Sequence, residues 1–241
     1  MTPLVFLHGV GGGHHAWEQQ LPVFAGLGYP SHAWDQPGYG HSPGVEPYDL
    51  ECISASLARL IESLGNKPVV LVGHSMGGLI AQEAYVRYPK LIRALALCFT
   101  SPAFAGGGSD FARQFIATRI GPLDEGKTMA EIAAQLIPTM GSNSKLDEQI
   151  MASVPPETYR KAVQLLTTFD RRKELAEIKI PTLVIAGSDD KTAPPAMMER
   201  MAQKIPGAEY VLLQGCGHLG PMDLPDAFNA ALASFLRRHQ L

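Results

Sequence analysis

A chain of 241 residues, 46% of them hydrophobic, is long enough to bury a substantial core, and one α/β domain with an insertion is the economical reading. A net charge of −3, with no basic block and no aromatic-basic stripe, excludes nucleic acid as an expected partner. No run of about 18 apolar residues offers a membrane span, and Cys52, Cys98 and Cys216 are too scattered for a metal site, so free thiols in a cytoplasmic protein are expected.

Leu4-Val5-Phe6-Leu7 is a short apolar run of the kind found in a parallel strand covered on both faces. It leads into His8-Gly9-Val10-Gly11-Gly12-Gly13-His14-His15, where the glycines imply a tight turn or a closely approaching ligand. Two readings of this loop compete with a plain connection. In one, the N–H of Val10 serves as an oxyanion donor. In the other, Gly11 to Ala16 satisfies Gly-x-Gly-x-x-Ala with Asp35 as a ribose-binding acid, as in an NAD-dependent dehydrogenase. The second fits less well, because the match begins several residues beyond the strand tip. His14 and His15 have no partners at a ligand spacing and read as a solvated pair rather than a metal site.

Trp17 to Gly26 has a helical pattern that places Leu21 and Phe24 inside. Tyr29 to Trp34 follows as a strand, then a turn-rich loop from Asp35 to Ser42 in which Asp35 reads as a capping acid. Asp49 caps a helix whose Ile53, Leu57, Leu60, Ile61 and Leu64 recur at helical spacing up to Gly65.

Pro68-Val69-Val70-Leu71-Val72-Gly73-His74-Ser75-Met76-Gly77-Gly78 then reads as strand, sharp bend and helix, with Ser75 at the bend. In a Gly-x-Ser-x-Gly elbow the serine takes a strained positive φ, and strand and helix approach so closely that side chains at Gly73 and Gly77 would collide. The bend lifts the hydroxyl clear, and the N–H groups of the following helix point at any oxyanion formed there. Leu79, Ile80, Ala84 and Tyr85 supply the apolar face of that helix, which ends at Pro89.

Ala94 to Phe99 forms another buried strand, after which strand runs vanish. Residues 103–175 read as a helical lid inserted into a core made of 1–102 and 176–241. Gly106-Gly107-Gly108 opens the lid, Gly121-Pro122 is expected to break it, Thr128 to Glu131 has capping-box spacing, and Pro155-Pro156 starts a helix toward Phe169. Among its apolar residues, Phe104, Phe111, Phe115, Ile116, Met129, Leu136, Met140, Met151 and Leu166, some are expected to line a pocket facing Ser75. Arg113, Arg119, Arg171 and Arg172 are candidates for a substrate carboxylate, each weighed against a solvated surface role.

The core resumes with the strand Pro181 to Gly187, which runs into Ser188-Asp189-Asp190-Lys191-Thr192-Ala193-Pro194. An acid at that tip is placed to orient a histidine. A strand from Ala208 to Leu213 leads to Gly217-His218, and a helix from Pro225 to His239 closes the chain.

His8-Gly9-Val10-Gly11, Asp35-x-Pro-Gly-Tyr-Gly, Gly73-His74-Ser75-Met76-Gly77, Gly187-x-x-Asp190-x-x-x-Pro194 and Gly217-His218, in this order, make the chain resemble the α/β-hydrolase superfamily over nearly everything outside the lid. The resemblance implies an α/β-hydrolase fold: an open, mostly parallel sheet of about six strands flanked by helices. It implies Ser75 as nucleophile, His218 as base and Asp190, rather than Asp189, as the orienting acid. Backbone N–H groups of Val10 and Met76 would form the oxyanion hole, with no cofactor required. Ser75 at the elbow, in place of a carboxylate, sets the chain apart from the dehalogenase and epoxide hydrolase branches. The implied substrate is a small carboxylic ester or lactone, and Phe169 to Leu175 looks like the 3-oxoadipate enol-lactonase group and its carboxylesterase relatives. Carbon–carbon bond hydrolases, cofactor-free haloperoxidases with perhydrolase activity, and receptors that retain the triad without turnover are the other implied classes. Relatives begin with a β-hairpin that this chain lacks, so the strand ending at Trp34 is expected at the sheet edge, blunted by Pro30 and His32 or covered by a second chain in a homodimer.

Overall fold

Each apolar run read as a strand forms one in the computed structural model, which describes residues 1–104 and 109–241; the Gly106-Gly107-Gly108 turn lies outside the described residues. The strands are β1 (Leu4–Leu7), β2 (Ser31–Trp34), β3 (Val69–His74), β4 (Ile92–Cys98), β5 (Thr182–Gly187) and β6 (Glu209–Leu213). All pair in parallel, in the order β2-β1-β3-β4-β5-β6. β2 is an edge, as expected, with β1 as its neighbour. From β1 the chain goes to one side for β2 and returns to the other for β3. That reversal opens a crevice between the carboxyl ends of β1 and β3, where open α/β sheets bind ligands.

Alternation along the strands divides the core into two layers. Val5, Leu7, Leu71, Leu95, Leu97 and Val184 pack with Ile53 and Leu57 of α2 (Leu50–Ser63) and Ile80 of α3 (Met76–Arg87). Leu4, Phe6, Val70, Val72, Ala96 and Ile185 face the other way. They meet Phe24 of α1 (Leu21–Gly26) and Phe228, Leu232 and Phe235 near the C-terminus. α1 begins later than the pattern from Trp17 implied. A 3-10 turn, His14–Trp17, precedes it, and Pro22 occupies its first turn, where a missing N–H costs nothing. Asp49 caps α2 as expected, accepting from the Cys52 N–H at 2.8 Å.

Between β4 and β5 stand α4 (Ser109–Asp124), α5 (Met129–Leu136), α6 (Lys145–Ala152) and α7 (Pro156–Leu166). The expected break at Gly121-Pro122 does not occur; Pro122 lies within α4. The stop comes at Gly126, whose left-handed φ of 86° closes the helix, with the Gly126 N–H donating to the Leu123 carbonyl at 3.0 Å and the Lys127 N–H to the Pro122 carbonyl at 2.9 Å. Thr128 and Glu131 form the capping box at the start of α5. The insertion is tied to α3 by Glu83, 1% exposed, which pairs with Arg87 and Arg171, each at 2.6 Å. Beyond β5 come α8 (Pro195–Lys204), the single turn α9 (Gly220–Asp223) and α10 (Pro225–Arg238).

Candidate active site

Ser75 sits between β3 and α3 with φ 53° and ψ −117°, a conformation that costs about 1–3 kcal/mol for a non-glycine residue. The surroundings over-determine it. A Cβ on Gly73 would lie 2.4 Å from the Gly77 carbonyl oxygen, and one on Gly77 would lie 2.1 Å from that of Leu7, so only glycine permits the crossing. The Ser75 N–H donates to the Cys98 carbonyl at 2.9 Å, and the Thr100 hydroxyl donates to the Ser75 carbonyl at 2.8 Å. The backbone is therefore pinned from β4 while the side chain stays free.

His218 and Asp190 reach this serine from two neighbouring loops. Gly187 makes that closeness possible, because a Cβ there would stand 2.4 Å from the Cys216 carbonyl oxygen. Nε2 of His218 lies 3.0 Å from Ser75 Oγ, and Nδ1 lies 2.8 Å from Asp190 Oδ2. The other Asp190 oxygen accepts the N–H groups of Thr192 and Ala193 at 2.7 and 2.9 Å. Burial opposes ionisation of Asp190, yet the His218 hydrogen bond and charge and these two N–H groups hold its carboxyl below the ordinary value. Asp189 is exposed and accepts from the Ser188 hydroxyl at 2.9 Å, so it takes no part.

Several positioning groups were missed in the sequence. His8 donates from Nδ1 to the Gly9 carbonyl at 2.8 Å, and its Nε2 accepts the Gln36 N–H at 3.2 Å. Gln36 also donates to the His8 carbonyl at 2.6 Å, and the Tyr39 hydroxyl donates to the Val10 carbonyl at 2.9 Å. Together they fix the Gly9-Val10 turn. His74 donates from Nε2 to the His218 carbonyl at 2.8 Å, holding the loop that carries His218. Only the location of His74 inside the elbow motif hinted at such a role.

Both imidazoles are buried and neutral. Burial lowers His8 to about 4 and, with the adjacent His218, lowers His74 to about 3, against an ordinary 6.5. Between those values and 6.5 the unfolded chain binds protons that the folded one refuses. The stability is therefore complete above pH 6.5 and lost as pH falls toward 4, by about 1.4 kcal/mol per pH unit for each group. Urea unfolding at a series of pH values should show the slope, and His8→Gln or His74→Gln should each remove about half of it. A slope unchanged from wild type in both variants refutes this assignment.

The remaining sequence candidates are placed elsewhere. Asp35 accepts the His14 N–H and pairs with His14 Nδ1, both at 2.8 Å, so it braces two loops and is not offered to a ribose. His15 pairs with Glu18 at 2.5 Å. Arg171 is held by Glu83, Arg172 by Asp170 and Arg113 by Asp110, whereas Arg119 lines a cavity beside Ser75.

Two cavities flank the Ser75–His218 pair. An inner one runs between the Gly9 to Gly12 loop and Ile137, Met140, Ile150 and Met151 of the insertion. An outer one is walled by Phe104, Phe111, Phe115 and Leu166. Met129 is instead core, and Ile116 and Leu136 pack against it. The insertion also touches His218 directly, since the Met140 carbonyl accepts its backbone N–H at 2.8 Å. No helix among the described residues is long and apolar enough to cross a membrane.

Residues 2–225 match the family model described as alpha/beta hydrolase fold. The chain is 30% identical, over 97% of its length and 93% of the relative's, to a protein of Mycobacterium tuberculosis H37Rv named "Putative non-heme bromoperoxidase BpoC". Among solved structures it resembles a thermophilic esterase from Thermogutta terrifontis, with 26% identity, a TM-score of 0.88, and coverage of 99% of this chain and 91% of that one. It also resembles the enol-lactonase from Burkholderia xenovorans LB400, with 25% identity, a TM-score of 0.84, and coverage of 98% and 92%.

Proposed function

Because the chain belongs to the α/β hydrolase fold family, we propose that it is a serine hydrolase that cleaves a small carboxylic ester or lactone through an acyl-enzyme on Ser75. The observation that carries this reading is the contact of Ser75 Oγ with His218 Nε2 at 3.0 Å, with Asp190 at 2.8 Å on the opposite ring nitrogen. A neutral imidazole whose Nδ1–H is held by Asp190 presents the Nε2 lone pair to the serine hydroxyl. As Oγ bonds to the acyl carbon, His218 takes the hydroxyl proton and then delivers it to the departing alkoxide. Asp190 stabilises the imidazolium between these steps. Water, deprotonated by the same nitrogen, then releases the acid.

The negative oxygen formed on attack needs fixed donors. The Gly9 carbonyl is occupied by His8 Nδ1 at 2.8 Å and by the Gly12 N–H at 3.0 Å, so the Val10 N–H of the same planar peptide points the opposite way. Met76 opens α3, where its N–H has no intrahelical acceptor. These are the two groups assigned to the oxyanion. Residues 103–175 act as a lid that keeps bulk water from the acyl-enzyme. The esterase and enol-lactonase names of the structural neighbours favour the same bond type. The name of the M. tuberculosis relative favours a second reading, perhydrolysis, in which hydrogen peroxide replaces water at the deacylation step.

A fluorophosphonate probe with peptide mapping, run beside p-nitrophenyl acetate and butyrate hydrolysis, tests the proposal. Wild type should label at Ser75 and turn over both esters, and Ser75→Ala should do neither. Turnover that survives in Ser75→Ala overturns the proposal, and labelling without turnover of any ester points to a receptor.

A further inference from the structure

The inner cavity contains a cation without a counterion. The other cations of α4 and α7 all have carboxylates: Arg113 has Asp110, Arg160 has Asp124 at 2.7 Å, and Lys161 has Glu46 at 2.9 Å. Arg119 has none among the described residues, and its guanidinium carbon stands 5.4 Å from the centre of the Phe115 ring. It lines the same cavity as Ser75 and His218. Tyr159, also in that wall, is fully buried, and its hydroxyl has no hydrogen-bond partner. Arg119 and Tyr159 line the same cavity, and burial pushes the Tyr159 hydroxyl up while the charge and hydrogen bond of Arg119 oppose the rise. Arg119 has more donors than Tyr159 can accept, and the Tyr159 hydroxyl proton has no acceptor among the described residues, so an oxygen anion entering there would satisfy both.

One acid also faces the cavity. Asp147 accepts from the Ser142 hydroxyl at 2.8 Å, and the same hydroxyl lies 2.8 Å from Asp223 Oδ1. One hydroxyl proton cannot serve two carboxylates. The two carboxylates share one donor, and burial raises both, a direction that lessens the charge they set against a bound anion. The rest of the wall near them is Ile137, Met140, Ile150 and Met151, suited to a short methylene chain.

We infer that Arg119 and Tyr159 form a subsite for a carboxylate on the portion of the substrate that fills the inner cavity, which makes Arg119 a specificity-determining residue. A single guanidinium matches a monoanion; a phosphate dianion would bring unpaired charge toward Asp147. The substrate class is then an ester or lactone bearing a second, free carboxylate a few methylenes from the reacting carbonyl. The turnover part of this inference rests on the hydrolase reading, whereas the binding part does not.

The experiment therefore has a binding arm and a turnover arm. Glutarate is titrated calorimetrically into Ser75→Ala protein and into Ser75→Ala carrying Arg119→Gln, Arg119→Lys or Tyr159→Phe, with monomethyl glutarate as the singly charged comparison and dimethyl glutarate as the neutral one. Both acids should bind, the diester should not, and Arg119→Gln should weaken the acids by about tenfold or more, Arg119→Lys and Tyr159→Phe by less. In turnover, wild type should favour the p-nitrophenyl monoester of glutaric acid over p-nitrophenyl pentanoate in kcat/KM, a ratio that collapses in Arg119→Gln and persists in the control Arg113→Gln. Melting curves establish that each variant is folded. Equal binding of acids and diester, or acid binding that survives Arg119→Gln, overturns the subsite. Glutarate binding without turnover of any ester retains the subsite and overturns the hydrolase reading alone.

Discussion

Asp190→Asn is expected to lower kcat for ester hydrolysis by about ten-thousand-fold while leaving KM nearly unchanged. The size of the effect follows from how the carboxylate is held. One oxygen accepts the N–H groups of Thr192 and Ala193, so the single oxygen of an asparagine is required there and its NH2 must face His218. That NH2 donates to Nδ1 and drives the ring proton onto Nε2, where a proton already occupies the position that must receive one from Ser75. The geometry survives and the chemistry stops. Steady-state kinetics with p-nitrophenyl butyrate measure it, and Asp189→Asn, one residue away and exposed, should behave as wild type. A loss of less than about tenfold in Asp190→Asn would remove this residue from the relay.

The second large effect concerns folding. Gly77→Ala is expected to destabilise the protein by about 3–5 kcal/mol, lowering Tm by about 10 °C or more. The added Cβ would stand 2.1 Å from the Leu7 carbonyl oxygen, 2.5 Å from its carbon and 2.8 Å from its Cβ. Leu7 belongs to the fully buried β1, so neither partner can retreat without separating α3 from the sheet. Gly121→Ala on α4 is the matched control, because its Cβ meets nothing within 4 Å and alanine is the better helix former. Thermal melts that place both variants together would show that the elbow tolerates a side chain.

The parts of this molecule legible in the sequence are those written in consecutive residues. The β-branched run at Val69 to Val72 and the glycines around Ser75 announce the elbow, because both requirements are local: a buried strand, and a bend with no room for side chains. Asp49 and Thr128 announce helix starts for the same reason. Gly121-Pro122 misled because a proline's lost N–H and ring clash can be absorbed by bending a helix without ending it, and the left-handed Gly126 was the true stop. The choice between Asp189 and Asp190 rested on resemblance, since neighbouring acids differ only in which one turns inward. His8, Gln36, Tyr39 and His74 were illegible as positioning groups because their partners come from other loops; His74 meets the carbonyl of His218, 144 positions along the chain. Arg119 stood out from Arg113, Arg171 and Arg172 only once the ion pairs of the other three were visible.

The hydrogen bond from the His218 N–H to the Met140 carbonyl constrains how this protein can diverge or be rebuilt. Gly217 and Gly141 touch so closely that a Cβ on Gly141 would lie 3.1 Å from the Gly217 Cα, leaving no slack at the junction. A transplanted roof from another hydrolase must therefore reproduce this turn as well as a new pocket wall. A chimera that swaps the helices but shortens the segment at 137–141 would unseat the imidazole while every catalytic side chain remained in the sequence.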